Sequence, residues 1–346
     1  MPKKPGNGGH GPEEYDVNTG KYVADGQPNK YYDNPDEKEK YQISSASIST
    51  DILKEKFGDI FGETEFDDEI NAMFDEKNVE KYTKNIEEMS QEELLTEIGE
   101  HKEWLEDYGI VLKCPCLNQD LRLKCSNFRE MHRLFEKYPF FKHDKYNLSK
   151  PPFEIVQRAM KRRYADCRMV DGDRLAPGSF IISIGSRIRF NSNIFNSYDK
   201  VYSMHQRDIK TKFHHDVNDD RISSCTFTHE FGHLLASYFI EESLSENVKS
   251  RLNRVLAYSE FSQMVDIIEK DYHKFHETAN REIINIFLQD NPGTTIWDFS
   301  NEISGYGRKN DVEWFAETFA SMECGKPTRT ALAMEKWLKQ KLGMNQ

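Results

Sequence analysis

The chain has 346 residues, of which 37% are apolar and 12% aromatic, enough to bury a core as one large domain or two modest ones. Its net charge of −12 disfavours nucleic acid as a partner, because phosphate binding needs a basic face. No stretch approaches the roughly 20 apolar residues of a membrane span, and the N-terminus lacks the apolar core of a secretory signal. We therefore expect a cytoplasmic protein without a membrane partner, while export that needs no such signal stays open.

The N-terminal part of the chain divides by composition. Residues 1–35 are rich in Gly, Pro, Asn and Asp, which predicts a flexible tail. Residues 36–150 form an acidic region that we expect to be helical. Within it, Ser90 followed by Glu93 has the spacing of a capping box and predicts the start of a helix. An apolar stripe supports this helix: Leu94, Ile98 and Leu105.

A second N-terminal helix is predicted over residues 126–138, because its apolar residues recur on one side and Pro139 ends it. The pair Pro151-Pro152 is a break, and we place the main domain boundary there, so that residues 151–346 form the main domain. Residues 153–166 also have helical spacing, through Phe153, Val156, Met160 and Tyr164.

The pattern changes to that of strands after residue 175. Phe180, Ile182 and Ile184 occupy alternate positions, and so do Ile188 and Phe190 after a glycine. From Asp220 onward the chain again has helical spacing. The sequence therefore predicts an α+β fold that is mostly helical, with a small mixed sheet.

A candidate metal site lies in the helix predicted to begin at Asp220. His229 and His233 are four residues apart, so both imidazoles project from one helix face, as two zinc ligands require. Glu230 follows the first histidine and can take a proton from an attacking water. Gly232 weakens a helix interior, which indicates that something packs closely against it.

The third ligand is sought 80 residues later, on a second predicted helix. Glu313 and Glu317 share one face of that helix, which suits a zinc ligand and a carboxylate behind it that holds the far nitrogen of a ligand histidine. Asn310 or Asp311 can cap this helix. The spacing from Asn310 to Glu313 also fits reciprocal capping, in which Glu313 would bind no metal.

Together these two segments resemble a known family. His-Glu-Phe-Gly-His at 229–233, followed by Tyr-Gly-Arg-x-Asn-x-x-Glu-x-Phe-Ala-Glu-x-Phe at 306–319, is similar to the catalytic domain of the anthrax lethal factor-like zinc peptidases. These belong to the gluzincin branch of the zincins, and related domains occur in phage and mobile-element proteins. The resemblance is dense over these two segments, loose over about 175–235, and says little about residues 1–150.

The resemblance implies a role for each matching residue. The ligands of Zn²⁺ would be His229, His233 and Glu313. Glu230 would be the general base, Tyr306 the phenol that stabilises the oxyanion, and Glu317 the acid behind the ligands. The strand around Ile188–Asn191 would be the edge strand that aligns an extended substrate. The long gap between the two segments implies a helical insertion at about 245–300 in a zincin-like catalytic domain.

We therefore expect a zinc-dependent endopeptidase that acts on a protein or peptide substrate. One alternative is a structural or assembly protein of a phage or mobile element that keeps the zincin fold as a scaffold. Another is a host-directed toxin or effector protease, which the absence of a receptor-binding region makes less favourable.

Two further groups of residues receive structural interpretations. The simplest interpretation of His205, His214 and His215 is exposed side chains, and the alternative is a place along the cleft. The six cysteines indicate reduced thiols. A second metal site is the weaker alternative for Cys114, Cys116, Cys125 and His132. Only one residue, a proline, separates Cys114 from Cys116, which is not the spacing of a common zinc site.

Overall fold

A computed structural model describes residues 15–16, 21–22, 84–141, 152–161, 163–168, 170–325 and 328–342. Nine helices of four residues or more lie within this described part: α1 (Gln91–Asp107), α2 (Leu121–Lys137), α3 (Tyr198–Lys210), α4 (Cys225–Ser243), α5 (Glu246–Lys249), α6 (Tyr258–Asp290), α7 (Ile296–Glu302), α8 (Asp311–Cys324) and α9 (Arg329–Lys341). Short 3₁₀ turns lie at Ile86–Glu88, Pro115–Gln119, Pro139–Phe141, Asp219–Arg221 and Gly307–Lys309. The α+β, mostly helical prediction is confirmed at this level.

The strands are β1 (Tyr15–Asp16), β2 (Lys21–Tyr22), β3 (Val111–Lys113), β4 (Glu154–Arg158), β5 (Ala165–Cys167), β6 (Val170–Ala176), β7 (Ser179–Ile184), β8 (Arg187–Asn191) and β9 (Val255–Ala257). A mixed sheet has the order β3-β4-β8-β5, in which β5 alone runs antiparallel to its neighbour. A second, antiparallel sheet has the order β6-β7-β9. Strands β1 and β2 pair within the predicted tail, whose other residues lie outside the described part.

The prediction of a helix over residues 153–166 is wrong. The segment contains β4 and β5, which pair on either side of β8. Phe153 and Ile155 are buried in the core, because alternate residues of β4 face it. Five residues of strand are too short for periodicity to separate them from a helix.

The two N-terminal helices follow their sequence signals closely. Ser90 accepts a hydrogen bond from the Glu93 amide while the Glu93 carboxylate accepts one from the Ser90 amide, so the predicted capping box is present. Helix α2 begins five residues earlier than predicted, because Asp120 caps it, and ends before Pro139 as predicted. Residues 36–83 and 142–150 of the predicted helical region 36–150 lie outside the described part.

The core is continuous across the predicted boundary near residue 151. Leu105 of α1 and Phe135 of α2 belong to the same buried cluster as Phe227 of α4 and Trp337 of α9. Strand β3, which lies before the boundary, pairs with β4, which lies after it. The helices that precede residue 151 are therefore packed into the same core as the segment that carries the candidate site.

The predicted insertion at 245–300 is mostly helical. Its long helix, α6, buries Ile283 and Phe287 in the main core, while Met264 and Ile268 belong to a smaller cluster with strand β7. It also contributes β9, which the sequence did not indicate. No helix in the described part combines the length and the apolar composition that crossing a bilayer requires.

A buried ion-pair network ties α2 to the helices of the candidate site. The carboxylate of Glu323, in α8, is almost fully buried. Three donors reach it: Arg133 Nη1 at 2.8 Å, Lys137 Nζ at 2.9 Å and the Tyr138 hydroxyl at 2.6 Å. Arg133 also pairs with Glu130, which accepts a hydrogen bond from Thr228 of α4. Burial alone raises the pKa of Glu323, but Lys137 and Arg133 outweigh it and lower the pKa to about 2.

We expect Glu323→Ala to lower the free energy of unfolding by about 3–5 kcal/mol, because it leaves the partners of a buried pair uncompensated. The loss is measured by urea denaturation at neutral pH. Lys336→Gln, which removes the exposed pair with Asp290, is the control and should cost less than about 1 kcal/mol. Since the folded pKa of Glu323 is depressed, its contribution is complete above about pH 5 and is lost as the pH falls toward 2. Equal stability of the two variants would contradict this prediction.

Candidate metal centre

Helix α4 contains His229 and His233 and lies in the main core. Its apolar residues Phe227, Phe231 and Leu235 are fully buried. The helix begins at Cys225, five residues after the predicted cap at Asp220, because a 3₁₀ turn occupies Asp219–Arg221. His229, Glu230 and His233 are each less than 9% exposed.

Gly232 lets α4 and α8 approach closely. A methyl group at this position would lie 2.9 Å from Ala316 Cα and 3.2 Å from the Phe319 ring. The first contact is with backbone, which cannot turn aside as a flexible side chain can. The close neighbour predicted for Gly232 is therefore present, and it is the helix that carries Glu313.

We expect Gly232→Ala to separate α4 from α8, with a loss of about 1–3 kcal/mol in the free energy of unfolding, as is usual for overpacking. Any affinity for a metal ion should fall with it, because the three candidate ligand atoms lie on both helices. The matched control is Gly99→Ala in α1, where an added methyl group meets nothing within 4 Å. That change should instead stabilise the helix by about 0.5–1 kcal/mol. If Gly232→Ala unfolded at the same temperature as the wild type, the close packing of α4 against α8 at this position would be contradicted.

Three side chains meet between α4 and α8 with the spacing of metal ligands. His229 Nε2 lies 3.1 Å from Glu313 Oε2 and 3.2 Å from His233 Nε2, and His233 Nε2 lies 3.4 Å from Glu313 Oε2. Ligand atoms at 2.0–2.1 Å from a tetrahedral zinc are about 3.3 Å apart. The group His229, His233 and Glu313 could hold a metal ion.

The electrostatics of this group favour a cation. Burial lowers the pKa of His229, but hydrogen bonds to Glu313 and Glu317 outweigh it and raise the pKa to about 10. Conversely, hydrogen bonds to the two histidines hold the pKa of Glu313 well below its usual value despite burial. A proton or a metal ion can satisfy the same nitrogen, so the two compete for it.

The start of α8 distinguishes the two interpretations of Glu313. The Asn310 side chain accepts hydrogen bonds from the amides of Val312 and Glu313, at 3.0 and 2.9 Å, and so caps the helix. The Glu313 carboxylate points toward the histidines. Capping by Asn310 therefore leaves the carboxylate available to the ligand group.

Glu230 is buried beside the ligands. Its Oε2 is shielded from solvent and has no hydrogen-bond partner among the described residues. Burial raises the pKa of Glu230, and the nearby His233 and His229 oppose this only in part. A buried carboxyl with an unpartnered oxygen and a raised pKa has the properties of a general base.

Tyr306 faces the ligand group from the loop before α8. Its ring centroid lies 5.4 Å from that of His229 and 5.2 Å from that of His214. The loop is fixed by backbone, since the Tyr306 amide donates to the Phe213 carbonyl at 2.8 Å. Burial and the charges of Glu313 and Glu230 raise the pKa of Tyr306 well above its usual value, so the phenol keeps its proton and can donate.

Glu317 lies directly behind the ligands. Its Oε1 is 2.9 Å from His229 Nδ1, which is the contact that the sequence pattern predicted. Its pKa is well below the usual value, because His214 and His215 outweigh the effect of burial. The other ligand histidine differs, since His233 Nδ1 is buried without a hydrogen-bond partner in the described part.

The interpretation of three histidines as exposed is wrong. His205 is fully buried and hydrogen-bonds Thr226 and the Ile222 carbonyl. His214 and His215 reach Glu317 through Nδ1, at 2.9 and 3.1 Å. All three line a pocket beside the ligand group. One sequence signal could have indicated this position. His214 and His215 are adjacent, lie shortly before α4 and do not belong to the motif at 229–233.

The predicted edge strand is also wrong. Strand β8, which contains Ile188–Asn191, lies between β4 and β5 and is therefore internal. Among the described strands, β5 is at the edge of the mixed sheet on this side, and its first residue, Ala165, lines the same pocket as His229 and Glu230.

The weaker second metal site has no support within the described residues. His101 and His132 do meet, with their Nδ1 atoms 2.8 Å apart, but His101 Nε2 is taken by Glu97. The cysteines Cys114, Cys116 and Cys125 are buried thiols, and burial raises the pKa of each. In the described part, only the group on α4 and α8 brings three such ligand atoms together.

Comparisons with known proteins identify no relative. No protein-family model, curated protein or solved structure matches the chain.

Proposed function

We propose that this chain is a zinc-dependent endopeptidase that hydrolyses peptide bonds in a protein or peptide substrate. The observation that carries the proposal is the spacing of 3.1–3.4 Å between His229 Nε2, His233 Nε2 and Glu313 Oε2, with a buried, unpartnered Glu230 oxygen beside them. Three protein ligands leave a fourth position open, which is the pattern of catalytic and not of structural zinc.

The residues of the site divide the reaction between them. Zinc held by the three ligands would polarise the scissile carbonyl and make a water more acidic. Glu230 takes a proton from the attacking water and returns it to the leaving amine. Tyr306, which keeps its proton, donates a hydrogen bond to the oxyanion of the tetrahedral intermediate.

The substrate is proposed to lie along β5. This strand is the last in the order β3-β4-β8-β5 of the described sheet, and an extended peptide can add to the edge of a sheet by main-chain hydrogen bonds. The adjacent pocket, lined by Ala165, Phe213 and Tyr306 among others, would receive a substrate side chain. This arrangement replaces β8 with β5 as the strand that aligns the substrate.

The test measures bound metal by mass spectrometry and cleavage of a peptide library by the same preparation. The proposal expects about one zinc per chain and cleavage that a chelator abolishes and added zinc restores. Protein that binds no zinc under these conditions contradicts it. Zinc binding without any cleavage would favour the scaffold alternative over the enzyme.

A further inference from the structure

The carboxylate of Glu317 is the centre of a four-way hydrogen-bond cluster. Its Oε1 faces His229 Nδ1 and His214 Nδ1, each at 2.9 Å. Its Oε2 faces His215 Nδ1 at 3.1 Å and accepts the Ser304 hydroxyl at 2.6 Å. A carboxylate has about four lone-pair positions, so all of them are occupied.

This cluster joins three separate chain segments to one buried group. His214 and His215 belong to the segment between α3 and α4, and Ser304 belongs to the loop that carries Tyr306. The Ser304 oxygen also accepts the amide of Gly307, at 3.0 Å. Glu317 is 2% exposed and Ser304 6%. Water therefore does not compete effectively for these hydrogen bonds, and removing one donor leaves a charged oxygen undersatisfied.

We infer that His214, His215 and Ser304 are positioning residues, which hold the Glu317 carboxylate so that it fixes the ring orientation of His229 and the place of the Tyr306 loop. Each histidine places a ring nitrogen at the carboxylate, which keeps Glu317 from rotating away from His229. With Nδ1–H of His229 held by Glu317, its Nε2 lone pair is directed toward Glu313 and His233. The inference rests on the proposed zinc site, which it deepens.

The variants separate positioning from general structural support. We expect the double variant His214→Ala/His215→Ala to lose about 10–100-fold in zinc affinity, as is usual when partners behind a ligand are removed. The double variant His214→Asn/His215→Asn keeps an amide N–H near the position of Nδ1–H and should retain affinity within about threefold of the wild type. The control, His205→Ala, removes a buried histidine of the same pocket whose hydrogen bonds go elsewhere. It should lower stability without changing zinc affinity.

Zinc affinity is measured with zinc alone against a chromophoric chelator, and the free energy of unfolding is measured in parallel. The absorption spectrum of the cobalt-substituted protein reports ligand geometry and should change in the double alanine variant only. Wild-type affinity in that variant would overturn the inference. So would an equal loss in His205→Ala, which would show that any damage to the pocket has the same effect.

A measurement on zinc-free protein keeps this test separate from that of the proposed function. In ¹⁵N-histidine-labelled protein, the Nδ1–H proton of His229 should give a downfield signal that exchanges slowly with water. The double alanine variant should lose this protection, and the double asparagine variant should keep it. If the wild type binds no zinc, the proposed function fails, and this signal alone decides whether the cluster holds His229. Equal protection in wild type and double alanine variant would overturn the inference.

Discussion

Glu230→Gln is expected to retain about one zinc per chain and to lose about 10²–10⁴-fold in kcat on any library peptide that the wild type cleaves. Glutamine has nearly the same shape, but its amide cannot accept and return a proton. Metal content should persist, because Glu230 does not belong to the group of ligand atoms. The measurement is kcat and KM on one library peptide, with zinc measured on the same sample.

The control for this variant is Glu246→Gln, which removes a highly exposed carboxylate just after α4. It should leave kcat unchanged. Loss of zinc from Glu230→Gln would indicate that Glu230 supports the ligands and not the proton transfer. Full activity in Glu230→Gln would contradict its role as the base.

Glu313→Ala is expected to lower zinc affinity by more than about 100-fold, which exceeds the usual loss when a partner behind a ligand is removed. The variant deletes one of the three proposed protein ligands and leaves two imidazole Nε2 atoms, 3.2 Å apart, with no carboxylate oxygen beside them to bind the ion. Cleavage should disappear at zinc concentrations that saturate the wild type. The affinity is measured by competition with a chelator of known strength.

Two comparisons make the Glu313 result specific. Glu335→Gln removes a half-buried partner of Lys339 on α9 and should bind zinc as the wild type does. The amide variant Glu313→Gln preserves the size of the side chain and leaves no cavity. Its loss of zinc affinity therefore reports the effect of charge and ligand strength. Zinc affinity in Glu313→Ala within a few-fold of the wild type would remove Glu313 from the ligand set.

The fold was predictable where signals are local. The capping box at Ser90, the strand pattern over β7 and β8 and the helical spacing over α4 depend on residues close in sequence, and each element is present. Strands β4 and β5 were missed because they are short and gain stability from pairing with β8, which periodicity does not reveal. The internal position of β8 was missed for the same reason, because its two neighbours in the sheet, β4 and β5, come from other parts of the chain.

The candidate site was predictable in its motif residues and not in its surroundings. Helical spacing brings His229 near His233, and Glu313 near Glu317, so each pair could be placed on one face from sequence. The packing of α4 against α8 at Gly232 then brings the pairs together. His214, His215 and Ser304 meet Glu317 only through the tertiary fold, and no spacing rule links them to it.

The site joins residues that are far apart along the chain. An ion bound between His233 and Glu313 would close a loop of 80 residues that contains all of α6. By the chain-entropy relation for a cross-link, closing such a loop lowers the conformational entropy of the unfolded chain. This raises the free energy of the unfolded chain by about 4.5 kcal/mol. Provided that the ion stays with its ligands when the chain unfolds, it would act as a reversible staple. Its removal would then lower the free energy of unfolding of the core that α6 shares with the site.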